Sequence, residues 1–515
     1  MGLFSFGKKK AGQMPKENME ITEEEKEFVN GGFWSREDFA FEIQKVLPYK
    51  EQGSALIGRV QSGELLPDTK LSYTDKSGRA VFNCTVSSVE QNGIKAKKAS
   101  VCQFGLYGPT FTLIVPDFAP NAFSEKNFLY QKAPEGSEFS PLLEAFEHCR
   151  LNREKEREIC EKIDAGEKEI TAYEEYSVQE MIFALTHIRD VANLAKAQED
   201  TDTEDTWKQT SKALYQKMLE KLRKLDRVYL TIDKSTNYPF VNNGFVDVYT
   251  TEEYAQMAVL FYKEQFRELE VRAMPAVGAQ LLKQEEGKPL AAQIPAFVLL
   301  YYLGMEHILL DDGLYRVVLS RSDVLPPPDY QGKPEIARPV VNPALRRRIL
   351  DFFGEARWKV NYEKRGAVLQ AKEHAMLEEI TKAKLLIPMK YEGAAQPAPG
   401  THQIVFDKDT KLMFAAIKNT AGETFTPIFT DFLELGKMYQ PKDWGAAVIP
   451  IQDAIRINKG DGIAINPAGE NLILKEKAIT AITEIIEQQK ERRETETAKT
   501  ADAESMQEAE AKTEG

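Results

Sequence analysis

Two stretches of this chain resemble each other, and this internal repeat constrains the fold more than any other feature. The first begins with FVDVYTTEEY at Phe245 and the second with FTPIFTDFLE at Phe425. In each stretch a Phe is followed four residues later by an aromatic residue and then by a Thr. Because side chains alternate along a strand, both aromatic residues are predicted to share one strand face. The Thr is predicted to cap a following helix, and Thr250 has Glu253 at the capping-box position.

The later parts of the two stretches also match. ILLDDGLYRVVL (308–319) and IAINPAGENLIL (463–474) have the same length and the same strand, turn, strand pattern. The sequence therefore predicts a duplicated α+β module, with chance similarity as the alternative. We call residues 225–322 the first module and 384–476 the second module. The first is longer, with its extra residues predicted between Glu264 and Ile294.

The segment before the modules divides into a strand-rich and a helix-rich part. Over residues 36–120, short alternating strands separated by Gly and Asn turns predict a small closed β-barrel. Over 136–224 the pattern is helical. Ser177 and Glu180 form a capping box, and two apolar stripes follow at helical spacing. The first stripe is Val178, Met181, Leu185, Ile188, Ala192 and Ala195; the second is Trp207, Thr210, Leu214, Met218, Leu222 and Leu225.

The remaining segments connect or flank these parts. Residues 323–344 form a Pro-rich linker that excludes a regular helix. A long helix is predicted over 345–383. Residues 1–35 are predicted to be a disordered leader, and 477–515 a helix that decays into a disordered acidic tail. The fold class expected is thus α+β and multidomain.

Composition restricts the partners and the compartment. The net charge of −13 argues against broad nucleic-acid binding, which needs a positive surface, so we expect no DNA partner. Four cysteines in a long chain favour a reducing cytoplasm. The longest apolar run, FVLLYYLGM from Phe297, is too short to span a bilayer, so we expect no membrane association.

Candidate chemical residues are few and dispersed. His148, Cys149 and Cys160 do not have the spacing of a metal site, and no Cys-x-x-Cys occurs. No Gly-x-Ser-x-Gly is present. The other histidines, scattered along the chain, are His187, His307, His374 and His402. We therefore expect no catalytic, cofactor-binding or metal residues, and no cofactor.

Three polar features each allow two interpretations. The loop NKGDGIAINPAG from Asn458 either turns a hairpin or binds an anion through backbone amides. Arg59 is either a surface residue of the barrel or an RNA contact. The run RRR at Arg346 and the helix KQTSKALYQKMLEKLRK at Lys208 are either solvated helix faces or faces for a partner or RNA.

The second module resembles the SseB family, named for enhanced serine sensitivity. The motifs are LLIPMK at Leu385, FTPIFTD at Phe425 and GIAINPAGENLIL at Gly462. The first module is similar to a diverged copy, with DDG at Asp311 where the second has NPAG. This resemblance implies an α+β domain and brings no established catalytic motif.

The barrel segment, from Phe39 to about Phe118, resembles domain 2 of elongation factor Tu. The similar stretches are FEIQKV, GRVQSGELLPDTKL and KAKKASVCQFGLYG, although Pro67 precedes Asp68 where that family usually has Gly. In translation GTPases such a domain packs on the nucleotide domain and contributes to tRNA contacts. No Gly-x-x-x-x-Gly-Lys-Ser/Thr loop occurs here, so a phosphate cradle is lacking.

These features favour a non-catalytic adaptor of the bacterial cytosol that binds proteins. The alternative is a ribosome- or tRNA-associated factor acting through the barrel, with RNA or ribosome as partner. A second alternative is an enzyme with an unrecognised site.

Overall fold

The computed structural model describes the chain from residue 38 to 492, with gaps. The residues left out within this range are 51, 76–78, 92, 101–109, 133–144, 146–147, 150, 152, 198, 243, 278–293, 314, 333–337, 359, 361–363, 394, 398–403, 407–409 and 441–442. The predicted leader and acidic tail lie outside the described residues. The described part is mixed α/β with several open sheets.

The strand-rich segment folds into an eight-stranded sheet in the order β5-β4-β10-β1-β2-β9-β6-β7. Two further strands, β3 and β8, pair with each other. The strands are β1 (Phe39–Tyr49), β2 (Gly53–Ser62), β3 (Glu64–Leu65), β4 (Thr69–Thr74), β5 (Ala80–Val86), β6 (Ser88–Gln91), β7 (Ile94–Ala96), β8 (Ala99–Ser100), β9 (Phe111–Val115) and β10 (Phe128–Gln131).

The closed barrel predicted for residues 36–120 is wrong, because the eight-stranded sheet is open in the described part of the chain. Strand β5 continues into β6 through Ser87 alone, although the two strands lie near opposite ends of the sheet. The sheet must therefore curl back on itself. Among the described residues its two end strands, β5 and β7, do not pair with each other, so the sheet does not close. Strand β10, beyond the predicted range, lies between β4 and β1.

Three helices follow: α1 (Arg153–Asp164), α2 (Val178–Ala197) and α3 (Thr201–Arg223). The predicted capping box is confirmed. The Ser177 amide donates to Glu180 Oε2 at 2.6 Å, and the Glu180 amide donates to Ser177 Oγ at 3.1 Å. The first apolar stripe is buried throughout, and the second is buried except for the half-buried Leu225.

The first module forms a seven-stranded sheet with a central parallel pair, β14 and β16. Its helices are α4 (Glu252–Glu264), α5 (Ala296–Tyr302) and α6 (Arg321–Val324). Its strands are β11 (Arg227–Asp233), β12 (Tyr238–Pro239), β13 (Val241–Asn242), β14 (Phe245–Tyr249), β15 (Leu269–Pro275), β16 (His307–Leu310) and β17 (Val317–Ser320).

The segment predicted as one long helix over 345–383 contains two helices, α7 (Pro343–Ala356) and α8 (Arg365–Lys382). The chain leaves α7 to place Trp358 against the first module, where its Nε1 donates to the Gln265 carbonyl at 2.9 Å. Arg365 donates to the carbonyls of Glu355 and Ala356, the last two residues of α7, and to that of Trp358.

The second module repeats the central arrangement with another parallel pair, β23 and β25. A single bridge, Leu386 to Phe429, joins its three-stranded and four-stranded sheets. Its helices are α9 (Phe432–Gly436) and α10 (Ile451–Ile457), and α11 (476–492) follows the module. Its strands are β18 (Lys384–Glu392), β19 (Ala395–Pro397), β20 (Ile404–Phe406), β21 (Lys411–Phe414), β22 (Ile417–Lys418), β23 (Thr424–Ile428), β24 (Gly445–Pro450), β25 (Gly462–Ile465) and β26 (Leu472–Leu474).

The cores connect these parts. One face of the first module's sheet packs with α2 and α3. Its residues Tyr249, Tyr254 and Phe261 belong to the same buried cluster as the eight-stranded sheet. The second module forms a separate core together with α7, α8 and α11. The first module therefore lies between the helices and the curled sheet.

Candidate functional site

The polar residues of the second module's motifs meet at the carboxyl ends of its parallel strands. Thr430 and Asp431 follow β23, and Asn466 follows β25, since Ile428 and Ile465 are register partners at the end of the pair. The carboxyl edge of a parallel pair is where α/β sheets commonly place functional side chains. The Asp431 side chain caps α9 by accepting from the Glu434 amide at 3.0 Å. The helix cap is thus Asp431 and not the preceding Thr.

Arg346, from α7, inserts its whole guanidinium among three carboxylates. Its Nη1 lies 3.2 Å from Asp431 Oδ2, and its Nη2 lies 2.7 Å from Glu434 Oε1. Its Nε donates to Glu470 Oε1 at 2.8 Å. Arg346, Asp431 and Glu470 are 0–1% exposed and Glu434 is 2% exposed. A guanidinium buried at this depth is retained only with such a full set of acceptors.

The first module closes the other side of this cluster. The Tyr238 hydroxyl donates to Glu434 Oε1 at 2.6 Å, and the Arg346 guanidinium lies 5.0 Å from the centre of the Tyr238 ring. Lys437 donates to the Tyr238 hydroxyl at 2.7 Å and to Glu434 Oε2 at 2.8 Å. We call Tyr238, Arg346, Asp431, Glu434, Lys437 and Glu470 the Arg346 cluster. It joins both modules and the helix between them.

Thr430 and Asn466 are hydrogen-bonded to each other, and Asn466 is also hydrogen-bonded to a carboxylate of the cluster. The Thr430 amide donates to Asn466 Oδ1 at 3.0 Å, and Asn466 Nδ2 donates both to Thr430 Oγ1 and to Glu470 Oε2, each at 2.9 Å. Asn466 has φ 48°, a left-handed conformation that Asn and Asp tolerate best among residues with a side chain. This amide therefore orients one carboxylate without adding charge.

The cluster contains three carboxylates and two cations. Burial and the neighbouring charges shift the pKa values of Arg346, Glu434 and Glu470 in opposing ways. Burial alone would lower the pKa of Arg346, but Glu470, Glu434 and Asp431 raise it well above its usual value. Burial would raise the pKa of Glu434, but Arg346 and Lys437 lower it. Burial dominates at Glu470 and raises its pKa despite Arg346. The Arg346 cluster can therefore keep buried charges in fixed positions where the two modules meet.

The glycine of the NPAG turn is needed for this closeness. A Cβ at Gly469 would lie 2.4 Å from Glu434 Oε2 and 2.7 Å from the Tyr238 hydroxyl. The turn amides of Gly469 and Asn471 donate to the Asn466 carbonyl. The loop from Asn458 thus turns a hairpin, as one of its two interpretations expected.

The first module has a second polar cluster at the equivalent strand ends. The Thr250 amide donates to Asp311 Oδ1 at 2.7 Å and the Thr250 hydroxyl to Asp311 Oδ2 at 2.6 Å. The cap of α4 is Thr251, one residue after the predicted Thr250, because Thr250 is occupied by Asp311. Burial raises the pKa of Asp311 to about 7 and that of Asp247, which accepts from the Tyr262 hydroxyl, to about 6.

The scattered candidates do not come together. His148 is exposed, and burial raises the pKa of both the Cys149 and the Cys160 thiols. His187 on α2 contacts Asp164 at 2.9 Å, His374 on α8 contacts Glu378 at 3.4 Å, and His307 is an exposed residue of β16. His402 and Cys102 lie outside the described residues. Within the described ranges, no set of three His, Cys, Asp or Glu side chains is arranged for a metal.

The arginine run was interpreted wrongly for one of its three members. Arg348 is exposed, as a solvated face requires, but Arg346 is fully buried. The missed signal is its spacing, since Arg346 falls on the helical stripe of Ile349, Leu350 and Phe353. Arg59 is half-buried and close enough to Arg316 to help lower the pKa of that residue, after the larger effect of burial. On α3, Lys208 and Lys217 pair with acidic neighbours.

Comparison with known families finds one match, which covers the second module. Residues 365–481 are similar to the SseB protein N-terminal domain. The match includes β18 to β26 and supplies all three carboxylates of the Arg346 cluster, whereas Arg346 and Tyr238 lie before it. The SseB-like module thus contributes the acidic half of the site, and the rest of the chain contributes Arg346 and Tyr238.

Other comparisons add little. Among solved structures, a bacterial selenocysteine-specific elongation factor, EF-Sec, is 16% identical over 19% of this chain, with a TM-score of 0.16. The matching part spans 15% of that chain. No curated protein matches. In the part of the chain that is described, no helix has both the length and the apolar character needed to cross a membrane.

Proposed function

We propose that this chain is a non-catalytic adaptor of the bacterial cytosol that binds other proteins. The proposal is supported by the contacts of the polar residues in the SseB-like motifs. Thr430, Asp431, Asn466 and Glu470 all bond to other parts of the same chain. They hold Arg346 of α7 in place, and the neighbouring Glu434 accepts from Tyr238 of the first module, so the cluster links the two modules as a scaffold requires.

A second contact supports a fixed orientation of the modules. Arg267 of the first module lies 4.1 Å from the Trp358 ring and 5.2 Å from the Phe240 ring. Its Nη1 also donates to the Gly354 carbonyl at 2.5 Å. Of these three partners, Gly354 lies within α7 and Trp358 lies two residues beyond its end, so Arg267 joins the first module to this helix. We infer that α7 acts as a rigid bridge between the modules.

The surface we assign to partners is strand β24 of the second module. In the described residues it pairs with β18 on one side only. Its sequence, GAAVIP, carries no charge, and Val448 is 52% exposed. An uncharged, half-exposed edge strand is a template for strand addition by an extended apolar segment of another protein.

We also propose that the modules arose by duplication. The parallel pairs align Phe245 with His307 and Phe425 with Gly462, and each is followed by an antiparallel hairpin strand. Helices α5 and α10 both have seven residues and a Pro cap. Two similar modules in one chain would allow bivalent binding.

The test is affinity capture with the full chain from bacterial lysate at several salt concentrations. A partner bound along β24 should persist at high salt and fall about tenfold with Val448→Lys, because a charge blocks strand addition. Val81→Lys, at a 55% exposed valine of β5, is the matched control and should bind normally. Recovery of nothing above background, or equal loss with both variants, would reject the proposal. Ribosome co-sedimentation that weakens with salt would instead favour the ribosome- or tRNA-associated alternative.

A further inference from the structure

One edge of strand β24 carries backbone groups that point away from the rest of its sheet. Val448 of β24 has Leu386 of β18 as its register partner. The Leu386 amide donates to the Phe429 carbonyl, and the Leu386 carbonyl accepts from the Phe429 amide, each at 2.8 Å. In an antiparallel pair, a residue that is bonded to the strand on one side is not bonded to the strand on the other. The amide and the carbonyl of Val448 therefore face the open edge of β24.

Ala446 presents its backbone on the same edge. Its register partner is Pro388, which has no N–H to donate and whose carbonyl accepts from the Ala415 amide at 3.1 Å. Ala446 and Val448 thus offer two amides and two carbonyls at a spacing of two residues. In the described part of the chain, β18 is the strand that pairs with β24, and its other edge has none. This edge is therefore a short ladder that another strand can complete.

The ladder is complementary to itself. A second copy of β24 placed antiparallel, with a two-fold axis at Ala447, sets Ala446 of each copy opposite Val448 of the other. The outward amides and carbonyls of the two copies then bond to one another with none left over. Ala447 faces its own copy as a non-hydrogen-bonded pair, the closer of the two kinds, and its small side chain allows that approach.

The side chains also fit this axis. It sets Ile449 opposite Gly445, so that a large side chain meets the smallest residue, and Pro450 opposite Trp444, so that two rings meet. The 52% exposed Val448 would be covered by the second strand. A two-fold axis brings like charges together wherever a strand is charged, but the sequence GAAVIP carries no charge. These features favour a second copy of this chain as the occupant of the edge.

We propose that two copies of this chain associate by antiparallel pairing of their β24 strands, and that this dimer covers the surface offered to partner proteins. The inference deepens the proposed function and rests on the same edge strand. Pairing between copies and binding of a partner then exclude each other, so the partner must compete with the dimer. The pairing also protects an uncharged edge strand that would otherwise be open to unspecific strand addition.

The first test measures self-association of the full chain by sedimentation velocity from about 1 to 100 μM. We expect a monomer–dimer equilibrium that is unchanged in about 1 M salt, because the paired strands carry no charge. Val448→Lys should raise the dissociation constant of the dimer at least about tenfold, since it places a lysine of each copy in the ladder. Val81→Lys, at an exposed valine of β5, is the control and should leave the equilibrium unchanged. A monomer at every concentration, or a dimer that survives Val448→Lys, would overturn the proposal.

The second test locates the pairing by disulfide formation. Ala447→Cys places two cysteines across the axis at the Cα separation of about 4.5 Å of a non-hydrogen-bonded pair, which a disulfide can span. Ala446→Cys is the matched control, because its Cα lies roughly 7–8 Å from its own copy, beyond the reach of a disulfide. The parent chain, with its four cysteines, gives the background. We expect a cross-linked dimer with Ala447→Cys alone. Equal cross-linking of the two variants, cross-linking of Ala446→Cys alone, or none above background would each overturn the pairing.

These outcomes are separate from those that decide the proposed function. A monomeric chain would overturn the dimer without affecting the adaptor, which depends on capture of a partner. A dimer with the expected behaviour that captures nothing from lysate would support the pairing of β24 and reject the adaptor.

Discussion

The parallel strand pairs of the two modules end in the same backbone arrangement but in different chemistry. In the second module Thr430 is held by the amide of Asn466; in the first, Thr250 is held by the carboxyl of Asp311. The three carboxylates of the Arg346 cluster pair with Arg346, and Glu434 pairs with Lys437 as well. No cation lowers the pKa of Asp311 among the described residues.

The difference shows how one polar framework can serve two purposes. Where an arginine enters, ionised carboxylates can be buried permanently, and they fix the neighbouring element in place. Where none enters, burial raises the pKa of a carboxyl group and favours its neutral form. The second module's strand ends therefore form a joint held by ion pairs, whereas those of the first hold a buried carboxyl group that accepts from Thr250.

The largest loss of stability should come from removing the guanidinium of Arg346. Arg346→Met leaves three buried carboxylates, of which Glu434 still pairs with Lys437, and we expect a loss of about 3–5 kcal/mol in the free energy of unfolding. Urea denaturation followed by tryptophan fluorescence measures it. Arg348→Met, on the exposed face of the same helix, is the control and should cost less than about 0.5 kcal/mol. Equal effects of the two variants would show that the cluster does not support the fold.

Local patterns were sufficient to predict the elements but not their long-range assembly. The capping box at Ser177 and the stripes of α2 and α3 depend on neighbours within a few residues, and both predictions are confirmed. Closure of the curled sheet depends on pairing between distant strands, and there the prediction of a barrel was wrong. The break between α7 and α8 reflects the docking of Trp358 on the first module, a contact that helical periodicity does not encode.

The candidate site was only half visible in the sequence. The motifs around Thr430 and Asn466 were singled out by the repeat, so the acidic half of the Arg346 cluster was located without being interpreted. Arg346 was expected on an exposed face, either solvated or available to a partner or RNA, because a run of three arginines suggests exposure. Its position on an apolar stripe is a sequence signal for a buried ion pair, but the partners lie 85 to 124 residues away.

A smaller effect is expected from giving the second module the chemistry of the first. Asn466→Asp replaces a donor to Glu470 Oε2 by a second carboxyl oxygen 2.9 Å from it. We expect a loss of about 2–3 kcal/mol at pH 8. Burial and Glu470 should raise the pKa of the new carboxyl, so the loss should grow as pH rises from 5 to 8. A loss that is independent of pH would mean that the amide matters only for shape.

The smallest effect should come from the link between the modules. Tyr238→Phe keeps the ring beside Arg346 but removes the hydroxyl that donates to Glu434 and accepts from Lys437. We expect a loss of about 1–2 kcal/mol, since Lys437 still neutralises Glu434. The double variant with Arg346→Met should lose less free energy of unfolding than the sum of the two single losses. The reason is that Tyr238 and Arg346 share Glu434 Oε1. Tyr391→Phe, at an exposed tyrosine of β18, is the control. Strict additivity of the Tyr238 and Arg346 losses would mean that the two modules are stabilised independently, and the joint would then be only a contact between them.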